Sequence, residues 1–220
     1  MTQHLILTKF CTLAGVLAIS AGLAGAASVT STTTADNLYT LWIDGSEVVS
    51  TTFSVGGWKI SETNITELEP GTHIIGVRAE NHVPWSGTNP AGFLGEFTFA
   101  GQTVDTGSDW LVLGGPQGLQ LQQNWNQPGF VPVGWAAATS YGANGVAPWN
   151  TIGGISDQAE WIWTEDNTEA TGDVVAYFLT TIDVPAGPPE ASAVPEPITM
   201  ISLLGAVGAT GSYLRRRSRG

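Results

Sequence analysis

The amino-acid sequence predicts an all-β protein whose main body is a single β-sandwich. No stretch of the body keeps a 3.6-residue period of apolar residues, whereas short runs of Val, Ile, Thr, Tyr, Phe and Trp recur between breaks rich in Gly, Pro and Asn. Setting aside two apolar ends leaves about 165 residues, enough for one domain with a hydrophobic core and too few for two. We therefore expect one sandwich at residues 28–185, followed by a Pro- and Ala-rich linker at residues 186–194.

The strands are predicted from turn signals and alternation. Leu38–Ile43 and residues 47–49 flank Asp44-Gly45, a pair that accepts the positive φ angles of a type I′ hairpin turn. Pro70-Gly71 marks a second turn, and the strand after it places His73, Ile75, Val77 and Ala79 on one face. Further strands are predicted at residues 92–99, 110–113, 159–164 and 174–184. The Gly-, Gln-, Asn- and Trp-rich residues 114–150 are expected to be functional or to pack as an irregular cover.

The N-terminal residues have the parts of a secretory signal peptide. Lys9 is the only formal positive side chain of a short polar start, residues 10–23 are apolar, and residues 24–27 are small enough for cleavage. We expect residues 1–27 to be a signal helix removed by signal peptidase; an uncleaved N-terminal anchor is the alternative. The only cysteine, Cys11, lies in this segment, so the mature chain would contain neither a disulfide nor a thiol nucleophile.

The C-terminal residues combine a proline break, an apolar run and an arginine cluster. Pro195, Glu196 and Pro197 precede the apolar residues 198–214, which Arg215, Arg216, Arg217 and Arg219 follow. As a helix at ~1.5 Å per residue, this run spans roughly 26 Å, just short of the ~30 Å hydrocarbon layer. The arginines would hold its C-terminal end in the cytoplasm and leave the body outside. An ordinary membrane anchor that is never cut has the same pattern.

The order of these three parts at residues 195–220 resembles the PEP-CTERM sorting signal of Gram-negative bacteria. A membrane protease of the exosortase family recognises and removes that signal. The resemblance implies that Pro195, Glu196, Pro197, Arg215, Arg216 and Arg217 are sorting residues and that the transmembrane helix 198–214 is a transient inner-membrane anchor. It implies an exported protein that ends at the cell surface or in the extracellular matrix.

The mature body is strongly acidic. Of the 7 basic residues only Lys59 and Arg78 lie outside the two ends, whereas of the 19 acidic residues only Glu196 is lost, so the charge is about −16 and not −12. Such a field repels nucleic acid and anionic lipid and attracts cations, which excludes a nucleic-acid partner. A solvated, salt-tolerant surface and a calcium site are the two explanations of the acidity. Arg78 is expected to form an internal ion pair across the sheet, with ligand binding as the alternative.

Short segments of the body are similar to the galactose-binding-like jelly-roll domains that accompany rhamnosidase-type glycosidases. These segments are residues 35–45, 78–81, 90–94, 106–110 and 161–163, with Gly134-Trp135 and Pro148-Trp149 at matching spacing. In those relatives the Trp-Ile-Trp element usually precedes the Ala-Asp-Asn hairpin, but here it comes last. Because the first and last strands of a jelly roll are neighbours, we expect residues 174–184 to pair near Leu38–Ile43. The resemblance implies a non-catalytic accessory module.

Seven of the nine tryptophans fall into two groups. Trp42, Trp110, Trp161 and Trp163 lie in strand patterns and are expected in the core. Trp85, Trp125 and Trp149 lie in polar, amide-rich loops, where an aromatic face can stack on a sugar ring while amides bind its hydroxyls. The predicted ligand-binding residues are therefore Asn81, Trp85, Trp125 and Trp149. The alternative for the loop tryptophans is a structural one, in which each fixes its loop onto the sandwich.

The motifs of several reaction classes are absent from the sequence. It contains no HExxH, no Cys/His cluster and no GxSxG elbow, which argues against a zinc site and a serine nucleophile. Asp157, Glu160 and Asp166 near the Trp-Ile-Trp element are weak calcium ligands at best, so calcium is the only cofactor considered. The spacing of paired carboxylates in a glycosidase is three-dimensional and is not readable from sequence.

The sequence thus predicts an exported protein with a non-catalytic domain that binds extracellular polysaccharide. One alternative is a structural, acidic surface or matrix protein without a small ligand. The other is a small glycan-active enzyme.

Overall fold

The computed structural model describes residues 25–54, 56–82, 89–115, 121–167 and 174–187. They belong to one compact unit, Ala24–Pro188, in which twelve strands form two antiparallel sheets. A short 3-10 helix lies between two of the strands in the chain. The prediction of an all-β, jelly-roll-like sandwich is confirmed. The predicted apolar helix at 198–214, the sorting residues and nearly all of the predicted signal peptide lie outside the described residues. Within the described ranges, no helix is long and apolar enough to cross a membrane.

The first sheet, sheet A, contains six strands. They are β1 (Ala27–Asp36), β4 (Glu62–Leu68), β6 (Gly92–Phe99), β7 (Gln102–Asp105), β10 (Thr139–Ala143) and β11 (Glu160–Trp163). Their order is β10-β11-β6-β1-β4, and β7 also pairs with β6. The central pair, β1 and β6, is in register from Val29 opposite Phe99 to Asp36 opposite Gly92.

The second sheet, sheet B, also contains six strands. They are β2 (Leu38–Ile43), β3 (Ser46–Ser50), β5 (Gly71–Glu80), β8 (Leu111–Gly115), β9 (Ala136–Ala137) and β12 (Val175–Val184), in the order β3-β2-β5-β12-β8-β9. The predicted hairpin is confirmed, since β2 and β3 pair through Asp44 at φ 49° and Gly45 at φ 78°. The predicted strands after Pro70-Gly71 and at 92–99, 110–113, 159–164 and 174–184 correspond to β5, β6, β8, β11 and β12.

The position of β12 differs from the prediction in one respect. It lies in the same sheet as β2, as expected, but β5 separates the two, with Tyr177 opposite Arg78 and Arg78 opposite Thr40. The first strand, β1, lies in the other sheet. The long β5, which is paired over its whole length with β12, occupies the place beside β2.

The core lies between the two sheets and is built by alternation along the strands. Phe93 and Phe97 of β6 meet Phe178 of β12, Trp110 and the aliphatic side chains of β2 and β5. Trp110, Trp161 and Trp163 are fully buried, as predicted. The prediction for Trp42 was wrong: Leu41 and Ile43 on either side of it point inward, so Trp42 points out of the sandwich and is only partly buried.

Two irregular segments cover the outer faces of the sheets. Residues 121–135 lie on sheet B, where a Cβ at Gly76 would be 2.8 Å from the Asn126 side chain and 3.0 Å from that of Trp125. Residues 144–159 lie on sheet A, where a Cβ at Gly92 would be 2.7 Å from Trp161 and 3.1 Å from Trp149. Both covers therefore contact the sheet at a strand glycine. Residues 121–135 and 144–150 of the predicted segment 114–150 thus pack as covers, which was one of the two expectations for it, and β9 and β10 between them are strands that were not predicted.

Candidate functional site

Five aromatic side chains meet on the outer side of sheet B. We call Trp42, Trp125, Phe130, Trp135 and Tyr177 the aromatic surface. Trp125 is at its centre, with its ring centroid 5.6 Å from Trp42 and 5.3 Å from Tyr177 in edge-to-face contacts, and 6.0 Å from Trp135 in a stacked contact. Phe130 completes the group, 6.2 Å from Trp135. All except Tyr177 are partly exposed.

The strand registers explain why these rings meet. Trp42 of β2 lies opposite Gly76 of β5, and Tyr177 of β12 lies opposite Arg78, two residues further along the same outward face. Gly76 has no side chain, so a groove runs between the two flanking aromatic residues. Trp125 fills this groove with its ring against the Gly76 backbone. The ring contacts of Trp125 have the tilted and offset geometries that aromatic pairs prefer.

Amide side chains surround the aromatic surface. Gln122, Gln123 and Asn124 are exposed, and Asn126 and Gln127 are partly exposed. Two consecutive turns hold this segment, because the N–H of Gln127 donates to the carbonyl of Asn124 at 3.0 Å and the N–H of Phe130 donates to that of Gln127 at 3.1 Å. Asn124 has φ 63°, a conformation that asparagine tolerates better than most residues. The surface therefore combines flat rings with donors and acceptors on a fixed backbone.

Arg78 borders the aromatic surface and forms an ion pair, as predicted, but its partner is on its own strand and not across the sheet as expected. Its guanidinium donates to the Glu80 carboxylate at 2.6 Å. Burial alone would lower the pKa of Arg78, but the contacts with Glu80 and Tyr177 outweigh it, and the pKa rises above its ordinary value. The two residues are two positions apart on β5, so the pair runs along the strand. Its charge is compensated within the sheet.

One of the predicted binding residues, Asn81, lies elsewhere, at the end of the sandwich where β5 stops. Asn81 is 3% exposed, donates to the carbonyl of Asn89 at 3.0 Å and accepts from the Asn89 side chain at 2.7 Å. It therefore joins the two ends of the segment between β5 and β6. Five strand residues, about 17 Å, separate it from Gly76 beneath Trp125. Trp85 lies outside the described residues.

Trp149 is part of the cover on sheet A. It is 2% exposed, stacks on Trp161 with centroids 4.6 Å apart, and donates from Nε1 to the Asp36 carboxylate at 2.9 Å. This burial leaves no ring face for a sugar, so the predicted binding role of Trp149 is wrong and the structural alternative holds. Of the three predicted binding residues that the structure describes, Asn81, Trp125 and Trp149, it is Trp125 that lies on the aromatic surface.

Asp36 is a buried carboxylate beneath this cover. It is 4% exposed and accepts hydrogen bonds from Trp149 and from the Asn37 side chain, the latter at 2.6 Å. Desolvation raises the pKa of Asp36 to about 6, although the two hydrogen bonds oppose the shift. Perturbed carboxylates often mark functional sites, but here both partners are structural side chains.

The acidic residues suggested as calcium ligands do not form a cluster of suitable geometry. Within the described part of the chain, no group of three or more His, Cys, Asp or Glu side chains is placed to hold a metal ion. Asp157, Glu160 and Asp166 are described and belong to no such group. The pKa of Asp105 is raised, first by burial and then by repulsion from Glu96 and Asp157.

Sequence reasoning missed most of the aromatic surface. Trp42 was assigned to the core, and Phe130, Trp135 and Tyr177 were not singled out. The alternation of β2 contained the necessary signal for Trp42, because two inward aliphatic neighbours require an outward residue between them. Nothing in the local sequence indicates that residues 121–135 fold back on sheet B.

Comparison with known proteins gives one structural likeness. No protein family model matches the chain, and no curated protein matches it. Among solved structures, the chain is similar to the crystal structure of the Streptomyces avermitilis alpha-L-rhamnosidase complexed with L-rhamnose, with a TM-score of 0.47 and 20% sequence identity. The similarity covers 61% of this chain and 14% of that chain.

Proposed function

We propose that this protein is a non-catalytic glycan-binding protein, exported to the cell surface or extracellular matrix of a Gram-negative bacterium, and that its aromatic surface holds the sugar rings. One observation carries the proposal: Trp42, Trp125 and Trp135 are partly exposed on the same side of the sandwich, within a border of amides. An indole face stacks on the apolar C–H face of a sugar, and amides hydrogen-bond its hydroxyls.

Rigidity supports the same function. Trp42 and Tyr177 are fixed on paired strands, and Trp125 is held by three ring contacts and by the groove at Gly76. A binding surface whose side chains are already ordered loses little conformational entropy when a ligand arrives. Such a surface suits a polysaccharide, which offers a repeated, flat ligand with weak contacts per sugar unit.

The charge of the protein favours neutral glycans. Lys59 and Arg78 are the basic residues of the body, and Arg78 is compensated by Glu80. Uronic-acid or sulfated chains would meet a strongly negative field without an available cation at the aromatic surface. We therefore propose neutral extracellular polysaccharide as the ligand class.

Export rests on the sequence of the two ends. In this proposal signal peptidase removes residues 1–27, and an exosortase-type protease acts at Pro195, Glu196 and Pro197, with the arginine cluster on the cytoplasmic side. Mass spectrometry of the protein recovered from an exosortase-containing host would identify both termini of the mature chain. An intact C-terminus in the extracellular fraction would contradict sorting by cleavage.

Binding is tested by affinity electrophoresis of the full-length chain in gels containing neutral or acidic polysaccharides, with and without calcium. We expect retardation in at least one neutral polysaccharide. Trp42→Ala and Trp135→Ala should each weaken binding by roughly 5- to 30-fold, or about 1–2 kcal/mol. Ile65→Ala is the matched control, since Ile65 is a 66% exposed apolar residue on the other sheet.

Two results would contradict the proposal. One is equal retardation of the tryptophan variants and the wild type. The other is a folded wild-type protein that no polysaccharide retards, which would favour the structural, acidic matrix protein.

A further inference from the structure

A second concave site lies at the side of the sandwich, away from the aromatic surface. β1 continues to Asp36, but its pairing with β4 ends where Thr33 meets Glu62. Between this point and the described parts of the connection from β3 to β4, residues 51–54 and 56–61, lies a cleft of about 390 Å³. We call it the edge cleft; among the residues that line it are Thr34, Thr51, Thr52, Ser54, Ile60 and Glu62.

Hydrogen bonds fix the walls of the edge cleft. Thr34 donates from Oγ1 to the carbonyl of Trp58 at 3.0 Å, which ties the outer wall to β1. Thr51 donates from Oγ1 to the carbonyl of Tyr39 at 3.1 Å and accepts from the Tyr39 N–H at 2.8 Å. These groups are committed to the fold. They hold the cleft open without occupying it.

Other polar groups of the cleft are available to a ligand. The hydroxyls of Thr52 and Ser54 and the carboxylate of Glu62 have no hydrogen-bond partner among the described residues, and all three side chains are exposed. The hydroxyls can donate and accept, whereas the carboxylate accepts from two donors at once. A carboxylate that accepts two hydrogen bonds at once suits a ligand with two adjacent hydroxyl groups.

Ile60, a lining residue that is 67% exposed, gives the cleft an apolar border. Phe53, between Thr52 and Ser54 in the chain, is a further exposed apolar side chain of the same segment, with its ring 4.1 Å from that of His82. A ligand that suits this border has an apolar face and a ring of hydroxyls. No lysine or arginine is among the described residues that line the cleft, and Lys59 of the same segment lies with Nζ 5.1 Å from the Trp58 ring centroid, so an anionic ligand would be repelled by Glu62.

We propose that the edge cleft is a second ligand site, which takes one or two units of a neutral sugar. A volume of about 390 Å³ is near the lower end of the ~300–1,000 Å³ range of small-molecule sites and matches one or two sugar units. The sugar is a chain end or a free monosaccharide. Glu62 accepts two adjacent hydroxyls, Thr52 and Ser54 bind further ones, and the apolar border contacts the C–H face.

The position of the cleft adds a consequence that rests on the proposed glycan-binding function. The edge cleft shares no residue with the aromatic surface, so one molecule can hold a chain end at one site and the interior of another chain at the other. Two weak sites on one rigid body give higher effective affinity for a matrix and cross-link its chains.

The test is a titration of the isotope-labelled full-length chain with neutral hexoses and 6-deoxyhexoses, followed by amide NMR. We expect shifts in residues 51–62 and none in residues 121–135. Glu62→Gln should weaken this binding roughly tenfold, because the charged acceptor is lost. Glu69→Gln, the same change at an exposed residue outside the cleft, should have no effect.

Several results would overturn the proposal: no shift with any neutral sugar at about 50 mM, equal binding of a uronic acid, or unchanged affinity of Glu62→Gln. A failure of the proposed binding at the aromatic surface is distinguishable from these results. In that case Trp135→Ala would bind long polysaccharide as the wild type does, while the sugar-dependent amide shifts in residues 51–62 would persist. If a free monosaccharide shifts the cleft residues and an oligosaccharide of the same sugar does not, the cleft is a site for free sugar and the cross-linking role is overturned. In a turbidity assay, cross-linking should disappear with either Glu62→Gln or Trp135→Ala.

Discussion

At the scale of single residues, two strand glycines determine how the covers sit on the sheets. Gly76 gives the Trp125 ring direct access to the backbone of a central strand, and Gly92 does the same for Trp149 and Trp161. Neither contact is visible in the sequence, because a glycine in a strand pattern signals only that a close approach exists, not what approaches.

Gly76→Ala should therefore disturb the aromatic surface. The new Cβ would lie 2.8 Å from the Asn126 side chain, closer than packed atoms tolerate, and the cover would have to move. We expect a loss of about 1–3 kcal/mol in the free energy of unfolding, measured by urea titration, together with a change in tryptophan fluorescence. Gly153→Ala is the control, since a Cβ at Gly153 would have no neighbour within 4 Å. Equal stability of the two variants would show that Trp125 is not seated on Gly76.

Asp36 should give the protein a specific pH dependence. Its pKa rises from 3.8 to about 6 on folding, so the folded state keeps a proton that the unfolded state has lost between these values. The contribution of Asp36 to stability is therefore full below about pH 4 and decreases as the pH rises to about 6. Asp36→Asn, which stays neutral, removes this dependence.

The measurement is the difference in the free energy of unfolding between wild type and Asp36→Asn from about pH 4 to about pH 7. The wild type should lose roughly 3 kcal/mol relative to the variant over this range, since one pKa unit corresponds to about 1.4 kcal/mol. Taking the difference cancels the pH-dependent contributions of the other carboxylates to stability. A difference that is independent of pH would contradict the buried, proton-binding state of Asp36.

At the scale of elements, the sequence predicted strands wherever apolar residues alternate and missed those in which threonine replaces them. β1 is the clearest case. Its inward residues Ser31 and Thr33 are 1% and 0% exposed, although both are polar. Thr33 is satisfied by the hydroxyl of Tyr39 at 2.8 Å, so a polar side chain is accepted in the core. Such compensation depends on a residue in another sheet and has no local signature.

Strand order was the other element-level difference. The sequence placed β12 near β2, and the structure places it in the same sheet but between β5 and β8, one strand away from β2. Pairing partners are chosen by contacts between distant residues, so turn signals and alternation predict strands better than they predict neighbours. The same limit applies to the candidate site, since Trp42, Trp125 and Tyr177 come from three distant parts of the chain.

The central position of β12 makes the C-terminal strands essential for folding. A chain ending at residue 160 lacks β12 and the buried Trp161 and Trp163, and sheet B is then divided between β5 and β8. We expect no cooperative thermal transition in calorimetry. A chain ending at residue 187, after the last described strand, should melt cooperatively. A cooperative transition in the shorter chain would contradict the topology.

At the scale of the whole molecule, the sandwich is an acidic body with two differently shaped surfaces that we propose bind neutral sugars. The aromatic surface consists of ring side chains with amides on the same segment, and the edge cleft is small and lined with hydroxyls. The composition predicted the acidity and the excess of tryptophan. It did not predict which tryptophans are exposed, because that depends on where the two covers fold.

The most direct test of the central claim is fluorine NMR of the full-length chain labelled with 5-fluorotryptophan, during titration with the neutral polysaccharide that retards it. The buried Trp110, Trp149, Trp161 and Trp163 serve as internal references. We predict that the signals of Trp42, Trp125 and Trp135 shift in proportion to bound ligand, while those of the buried four stay in place. Binding that leaves the first three signals unchanged would contradict the assignment of glycan binding to the aromatic surface.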